Sequence, residues 1–158
     1  MKATVVSNSK NIYKEFEDKL NASLSYAVKD TMLDVINEEN TDIVFCCDLE
    51  LPIKEMIGLQ ESHPGVTIVF NAVGMTVESL IHEGLSAKNV IGMNLLPTFV
   101  NRDLAEITLD DRQPGNPKVL EELGWELKQV KSRVGLVTPR VIFMIIIALY
   151  SIYIGSSK

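Results

Sequence analysis

The chain has few cysteines and no cluster of basic residues, and both shortages exclude classes of function. Of its 158 residues, 15 are Lys or Arg and 21 are Asp or Glu, which gives a formal net charge of -6. Nucleic-acid binding requires concentrated positive charge, so the composition argues against a nucleic-acid partner. The same negative charge argues against a role at an anionic membrane surface.

The only two cysteines, Cys46 and Cys47, are adjacent inside an apolar run. Neighbouring side chains of a strand point to opposite faces, so one strand does not present both thiols to one metal ion. We interpret them as small buried residues rather than as a disulfide or a metal pair, which suits a reducing compartment. No other spacing of His, Cys, Asp and Glu resembles a metal site, and we predict no metal.

The length of the chain and its 46% content of apolar residues suffice for one well-buried core. Its first residues, MKATVVSNSK, enter a strand-like run directly and lack the apolar core of a signal peptide. This pattern predicts a cytoplasmic protein.

Short apolar runs alternate with helical patterns along most of the chain. Because such alternation is typical of right-handed crossovers between parallel strands, we predict an α/β fold with a doubly wound, mostly parallel, Rossmann-like sheet. The predicted strands cover residues 3–6, 23–28, 42–47, 66–70, 90–93, 104–109 and 128–131, and the predicted helices cover residues 12–20, 31–36, 52–61, 76–82 and 117–123.

The ligand crevice of a doubly wound sheet lies beyond the carboxyl ends of its strands. In this chain, that edge brings together residues 7–11, 45–50, 71–75 and 94–102. We expect any functional site to lie among these four segments.

A C-terminal run of 14 residues, VIFMIIIALYSIYI at positions 141–154, is apolar on every side. It is shorter than the ~20 residues that span a bilayer, so we predict no membrane span. A helix that is apolar all round must be buried, either as an ordinary core helix or against another subunit. We predict one C-terminal apolar helix that forms a homodimer through residues 141–154.

Three stretches together resemble the 3-hydroxyacyl-CoA (3-hydroxybutyryl-CoA) dehydrogenase family. They are DIVFCCDLELPIKEM from Asp42, IGMNLLPTFVNRDLAEI from Ile91 and VLEELGWELKQVKSRVGLVTPRVI from Val119. The resemblance implies a Rossmann-like domain over residues 1–134. It also implies that residues 135–158 are the remnant of a helical C-terminal domain with a dimerisation helix, and it suggests a role in fatty acid metabolism.

The resemblance also assigns the candidate catalytic residues. In the family, a His accepts the hydroxyl proton and a Glu twelve residues later stabilises the imidazolium. Here the Glu is Glu106 and the His position is Asn94, which has no basic nitrogen. Alternatively, Glu106 is a solvated or ion-paired carboxylate near Arg102, and Asn94 is an amide that caps a turn.

The family's cofactor turn carries Gly-x-Gly-x-x-Gly, whose glycines let the backbone approach the pyrophosphate. Here the turn reads SNSKNI and has no glycine. The resemblance implies NAD as the possible cofactor. The candidate cofactor-binding residues are Ser7, Asn8, Ser9, Asp30 and Asn71.

The leading hypothesis is a 3-hydroxyacyl-CoA dehydrogenase-like protein with a degenerate active site and weak or no NAD binding. The alternative is an active NAD(P)-dependent oxidoreductase that acts on a 3-hydroxyacyl-CoA or a related hydroxy acid. Its base would be Glu106 or a residue supplied by a partner. An acyl-CoA is the ligand that both hypotheses imply. A third interpretation is that the apolar tail is an artefact of truncation or of a frameshifted gene end.

Overall fold

A computed structural model describes residues 1–20, 22–131 and 149. The described part contains seven strands and five helices, and one turn of 3-10 helix, Lys29–Thr31, precedes the second helix. The strands are β1 (Lys2–Val6), β2 (Ser23–Ala27), β3 (Ile43–Cys46), β4 (Thr67–Asn71), β5 (Val90–Met93), β6 (Leu104–Thr108) and β7 (Glu126–Gln129). The helices are α1 (Lys10–Lys19), α2 (Met32–Glu39), α3 (Ile53–Ser62), α4 (Val77–His82) and α5 (Lys118–Glu122).

All seven strands form one sheet in the order β2-β1-β3-β4-β5-β6-β7. Strand β6 runs antiparallel to β5, and every other neighbouring pair is parallel. The predicted α/β fold with a mostly parallel, Rossmann-like sheet is therefore confirmed. The chain passes from β1 to β2 on one side and then crosses to β3 on the other, so the strand order reverses between β1 and β3. Such a reversal marks the ligand crevice of a doubly wound sheet.

The alternation of side chains along the central strands builds a core on each face of the sheet. On one face, Phe45 packs with Phe16 of α1 and with Trp125, at ring-centroid distances of 4.7 and 5.9 Å. On the other face, Val44 and Cys46 belong to the cluster that includes buried side chains of α2, α3 and α4. Two buried layers fix the sheet between the helices and hold its carboxyl edge in place.

Strand boundaries differ from the prediction most clearly at β7, which lies two residues earlier than predicted. The burial pattern of Glu126–Gln129 is mostly exposed, because β7 is an edge strand. An exposed edge strand has no apolar alternation, so the sequence carries little signal of where it begins.

Several C-terminal predictions lie outside the described residues. They are the domain boundary at residue 134, the helical remnant over residues 135–158 and the dimerisation helix over residues 141–154, apart from Leu149. That residue is helical and packs against the small cluster of Val73 and Leu96, beside Phe99. Within the described ranges, no helix has both the length and the apolar character needed to cross a membrane.

Candidate active site at the carboxyl edge of the sheet

The antiparallel pairing of β5 and β6 brings the two predicted catalytic residues together. The register pairs Met93 with Ile107, which places Asn94 opposite Glu106. The backbone N–H of Asn94 donates to the carbonyl oxygen of Glu106 at 3.2 Å. Residues that are twelve positions apart in the chain are therefore direct neighbours at the end of the strand pair.

Both residues line a cavity of about 110 Å³. The Asn94 side chain is 4% exposed, and its Oδ1 accepts a hydrogen bond from the backbone N–H of Leu96 at 3.3 Å. Because only the oxygen of the amide can accept from an N–H group, this bond identifies which end of the Asn94 side chain is Oδ1. The other end is Nδ2, which has no hydrogen-bond partner among the described residues. The buried group at this position is thus a free N–H donor, whereas a general base would need an accepting lone pair.

Glu106 is half-buried on the wall of this cavity, which Phe99 and Arg102 also line. The Arg102 guanidinium lies over the Phe99 ring at 4.2 Å from its centroid. Within residues 1–20 and 22–131, the only ion pair joins Lys19 to Asp103, so Arg102 and Glu106 do not pair. The ion-paired alternative for Glu106 does not match this arrangement.

Asn71 lies at the end of β4 and is 1% exposed. Its Nδ2 donates to the Cys47 carbonyl at 2.9 Å, and its Oδ1 accepts from the backbone N–H groups of Val73 and Leu95 at 3.4 and 3.3 Å. The side chain therefore joins the segments that follow β3, β4 and β5. Its hydrogen bonds hold the floor of the crevice and are already engaged within the protein.

The turn between β1 and α1 contains three of the predicted cofactor-binding residues, and two of its hydrogen-bond donors are bonded to Asp48. Ser7 is 1% exposed, and its Oγ donates to Asp48 Oδ1 at 2.8 Å. The Asn8 backbone N–H donates to Asp48 Oδ2 at 3.0 Å, and the Ser9 N–H donates to Ser7 Oγ at 3.0 Å. Ser9 is the N-cap of α1 but makes no side-chain capping bond.

Asp48 follows β3 and was not among the residues that the sequence singled out. The segment 45–50 is part of the predicted crevice, but no local pattern marks Asp48 within it. Its role depends on contacts with residues about forty positions earlier in the chain.

The predicted residue Asp30 is exposed and lines a second cavity, of about 340 Å³, at the reversal point between β1 and β3. Asn8 and Asp48 line the same cavity, together with Lys29 and Glu50. The structure therefore gathers Ser7, Asn8, Ser9 and Asp30 at this part of the edge, whereas Asn94 and Glu106 lie further along the sheet.

A larger cavity of about 730 Å³ lies at the opposite, amino edge of β5. It is lined by residues of α4, of the α4–β5 loop and of the segment after β6, including His82, Ser86 and Asp111. None of the predicted site residues lines it.

The thiols of Cys46 and Cys47 are both free and buried. Burial, with a smaller contribution from the nearby Asp48 charge, raises the pKa of Cys46 to about 12, and burial raises the pKa of Cys47 as well. The interpretation of these cysteines as buried residues is confirmed. In the part of the chain that the structure describes, no group of three or more His, Cys, Asp and Glu side chains is arranged to hold a metal ion.

Comparison with known proteins gives matches by fold rather than by sequence. No protein-family model matches the chain, and no curated protein matches it. Among solved structures, (S)-3-hydroxybutyryl-CoA dehydrogenase from Ralstonia eutropha superposes with a TM-score of 0.58 at 16% identity, over 89% of this chain and 67% of that chain. The 3-hydroxyacyl-CoA dehydrogenase from Archaeoglobus fulgidus superposes with a TM-score of 0.61 at 15% identity, over 100% of this chain and 65% of that chain.

A third structure is an NAD+ dependent dismutase, 5-formyl-3-hydroxy-2-methylpyridine 4-carboxylic acid 5-dehydrogenase, with a TM-score of 0.64 at 11% identity, over 92% of this chain and 62% of that chain. The chain thus spans between 62 and 67% of the length of the three solved structures. The expected resemblance is confirmed at the level of fold: the chain shares the Rossmann-type architecture of the N-terminal domain of 3-hydroxyacyl-CoA dehydrogenases and related dehydrogenases.

Proposed function

We propose that this chain is a 3-hydroxyacyl-CoA dehydrogenase-like protein that does not carry out the dehydrogenation and binds NAD weakly or not at all. The observation that carries the proposal is the state of Asn94. It occupies the position of the family's proton acceptor, next to Glu106, and presents a buried N–H donor to a cavity of about 110 Å³. An amide nitrogen does not take a proton from a hydroxyl near neutral pH, so alcohol oxidation has no general base at this atom.

The cofactor end of the crevice supports the same conclusion. The β1–α1 turn carries the side chains of Ser7, Asn8 and Ser9 where a dinucleotide-binding turn has glycines that admit the pyrophosphate. The Ser7 side chain is buried and hydrogen-bonded within the protein. We therefore expect a dissociation constant for NADH in the millimolar range or above.

Turnover of 3-hydroxybutyryl-CoA with NAD or NADP, followed by absorbance at the wavelength of the reduced nicotinamide, tests the proposal. We expect no turnover above a blank, and none for acetoacetyl-CoA with NADH. The matched variant is Asn94→His, which restores a base beside Glu106; if the loss of the base were the whole defect, this variant would gain activity. Clear oxidation by the unmodified chain would refute the proposal.

The alternative is an active NAD(P)-dependent oxidoreductase in which Glu106 itself acts as the base. One observation favours it: Glu106 is half-buried, makes no ion pair with Arg102, and faces the same small cavity as Asn94. Glu106→Gln separates the two proposals, since it removes the carboxylate while preserving its size. If turnover is detected and this substitution abolishes it, the alternative is correct.

The proposed role that remains is binding or assembly, with an acyl-CoA as ligand and a second copy of the chain as partner. The support for the homodimer is the apolar run over residues 141–154, since burial of a Leu, Ile, Phe or Met side chain contributes about 1.5 to 3 kcal/mol. Sedimentation equilibrium of the full chain measures the oligomeric state. A monomer at micromolar concentration would refute the homodimer.

A further inference from the structure

The Asp48 carboxylate lies on the turn where a Rossmann protein binds the phosphates of a dinucleotide. Both of its oxygens are engaged there, Oδ1 with Ser7 Oγ at 2.8 Å and Oδ2 with the Asn8 N–H at 3.0 Å. The next N–H of the turn, that of Ser9, donates to Ser7 Oγ at 3.0 Å. Two consecutive backbone donors of the turn are therefore already satisfied, one by Asp48 directly and one through the Ser7 hydroxyl.

A phosphate that binds at this type of turn needs those same backbone donors, together with the positive end of the following helix. Helix α1 has no acidic residue in its first turn, so the negative charge beside its N-terminus comes from Asp48 at the end of β3. A second anion at the same place would lose the bonds to Asn8 and Ser9 and would be repelled by the carboxylate.

The neighbouring cavity of about 340 Å³ adds to this repulsion. Its walls carry the carboxylates of Asp30, Asp48 and Glu50 against one ammonium group, that of Lys29. A pyrophosphate carries two negative charges, and like charges in a partly enclosed space repel more strongly than they do in bulk water. The residues present do not fit the phosphates of NAD.

We infer that the Asp48 carboxylate occupies the position that a phosphate of a bound nucleotide would take. The crevice between β1 and β3 therefore rejects phosphate-bearing nucleotides and favours uncharged or cationic ligands. The inference deepens the proposed function, on which it rests, because it traces the weak binding of NAD to one side chain. Sterics of the glycine-free turn contribute, but the bonds and the charge of Asp48 set the selectivity.

The experiment is a calorimetric titration of NADH and of ADP-ribose into the full chain and three variants. Asp48→Asn removes the charge and keeps the size of the side chain, and Asp48→Ala removes both the charge and the bonds to the turn. Glu50→Gln is the matched control, because it neutralises a carboxylate of the same cavity that does not bond to the turn. The fluorescence of buried Trp125 reports whether each variant is folded.

We expect both ligands to bind at least one Asp48 variant about tenfold or more tightly than the unmodified chain, a change that corresponds to about 1.4 kcal/mol. Glu50→Gln removes one charge from the cavity wall but no bond to the turn, so it should give a smaller gain, of less than about threefold. Folded Asp48 variants with unchanged affinity would overturn the inference, and so would an equal gain in Glu50→Gln. Because Asp48→Asn keeps a hydrogen-bonding group against Ser7 and Asn8, it tests the charge even if Asp48→Ala does not fold.

The outcomes also separate this inference from the proposed loss of dehydrogenation. Tight NADH binding by the unmodified chain without turnover would overturn the role of Asp48 and leave the catalytic conclusion standing. If the unmodified chain binds NADH weakly but turns over substrate, and the Asp48 variants gain affinity, the catalytic conclusion is overturned and the role of Asp48 stands.

Discussion

Replacement of Asn71 by Ala is expected to destabilise the carboxyl edge of the sheet. The side chain makes three hydrogen bonds, to the Cys47 carbonyl and from the Val73 and Leu95 N–H groups, and it is 1% exposed. A hydrogen bond within a protein contributes about 1 kcal/mol to stability. The substitution should therefore lower the free energy of unfolding by about 3 kcal/mol.

Asn94→Ala is the matched control, because Asn94 is also a buried asparagine at the carboxyl end of a central strand: Asn71 is the last residue of β4, and Asn94 directly follows β5. It makes one side-chain hydrogen bond, at 3.3 Å, and its Nδ2 is already without a partner among the described residues. We expect a loss of about 1 kcal/mol or less from this substitution. The cavity left by the lost side chain is similar in both variants and cancels in the comparison. The expected difference of about 2 kcal/mol in the free energy of unfolding therefore reflects the hydrogen bonds alone.

Urea unfolding followed by the fluorescence of Trp125, the only tryptophan, measures both values. With a denaturant slope of about 2 kcal/mol per molar urea, the midpoint should fall by about 1.5 M for Asn71→Ala and about 0.5 M for Asn94→Ala. Equal losses, or a greater loss at Asn94, would refute the assignment of Asn71 as the residue that ties the strand ends together.

Three further predictions concern the interior. Gly92→Ala should lower the free energy of unfolding by about 1 to 3 kcal/mol, because the added Cβ would lie 2.6 Å from Thr108 Cγ2. Adding Thr108→Ser, which removes that methyl group, should restore part of the loss in the same urea assay. The buried Cys46 and Cys47 should resist alkylation at pH 8 in the folded protein and react in urea; labelling of the folded chain, measured by mass spectrometry, would contradict their burial. Burial raises the pKa of Cys46 from an ordinary 9.0 to about 12, so the folded state holds the thiol proton more tightly than the unfolded state does. The stability that this contributes is complete below pH 9.0, and the free energy of unfolding should fall as the pH rises toward 12. Cys46→Ala should flatten this decline, and an identical decline in the variant would contradict the prediction.

Much of the fold was predictable from local pattern. Apolar runs such as Ile43–Cys46 and Val90–Met93 are short and bounded by turns, and both are strands at the predicted places. Helix α4 begins after Thr76, whose hydroxyl accepts from the Ser79 N–H as an N-cap. These features depend on residues within a few positions of each other, so the sequence displays them directly.

The edge strand of the sheet was harder to predict, because no local pattern of residues marks it. Strand β7 at Glu126–Gln129 is mostly exposed, so no apolar period marks its ends. Its place is set by pairing with β6, whose Leu104 lies opposite Glu126, and pairing between distant segments leaves no local trace.

By itself, the sequence determined the order of strands and helices, the absence of a basic nitrogen at Asn94 and the absence of glycine from the first turn. Those properties reside in single residues and in short-range periodicity. Only the tertiary structure placed Asn94 beside Glu106, because the antiparallel direction of β6 sets that register. Only the tertiary structure brought Asp48 onto the donors of Ser7 and Asn8, because hydrogen bonds between residues about forty positions apart depend on how the sheet assembles.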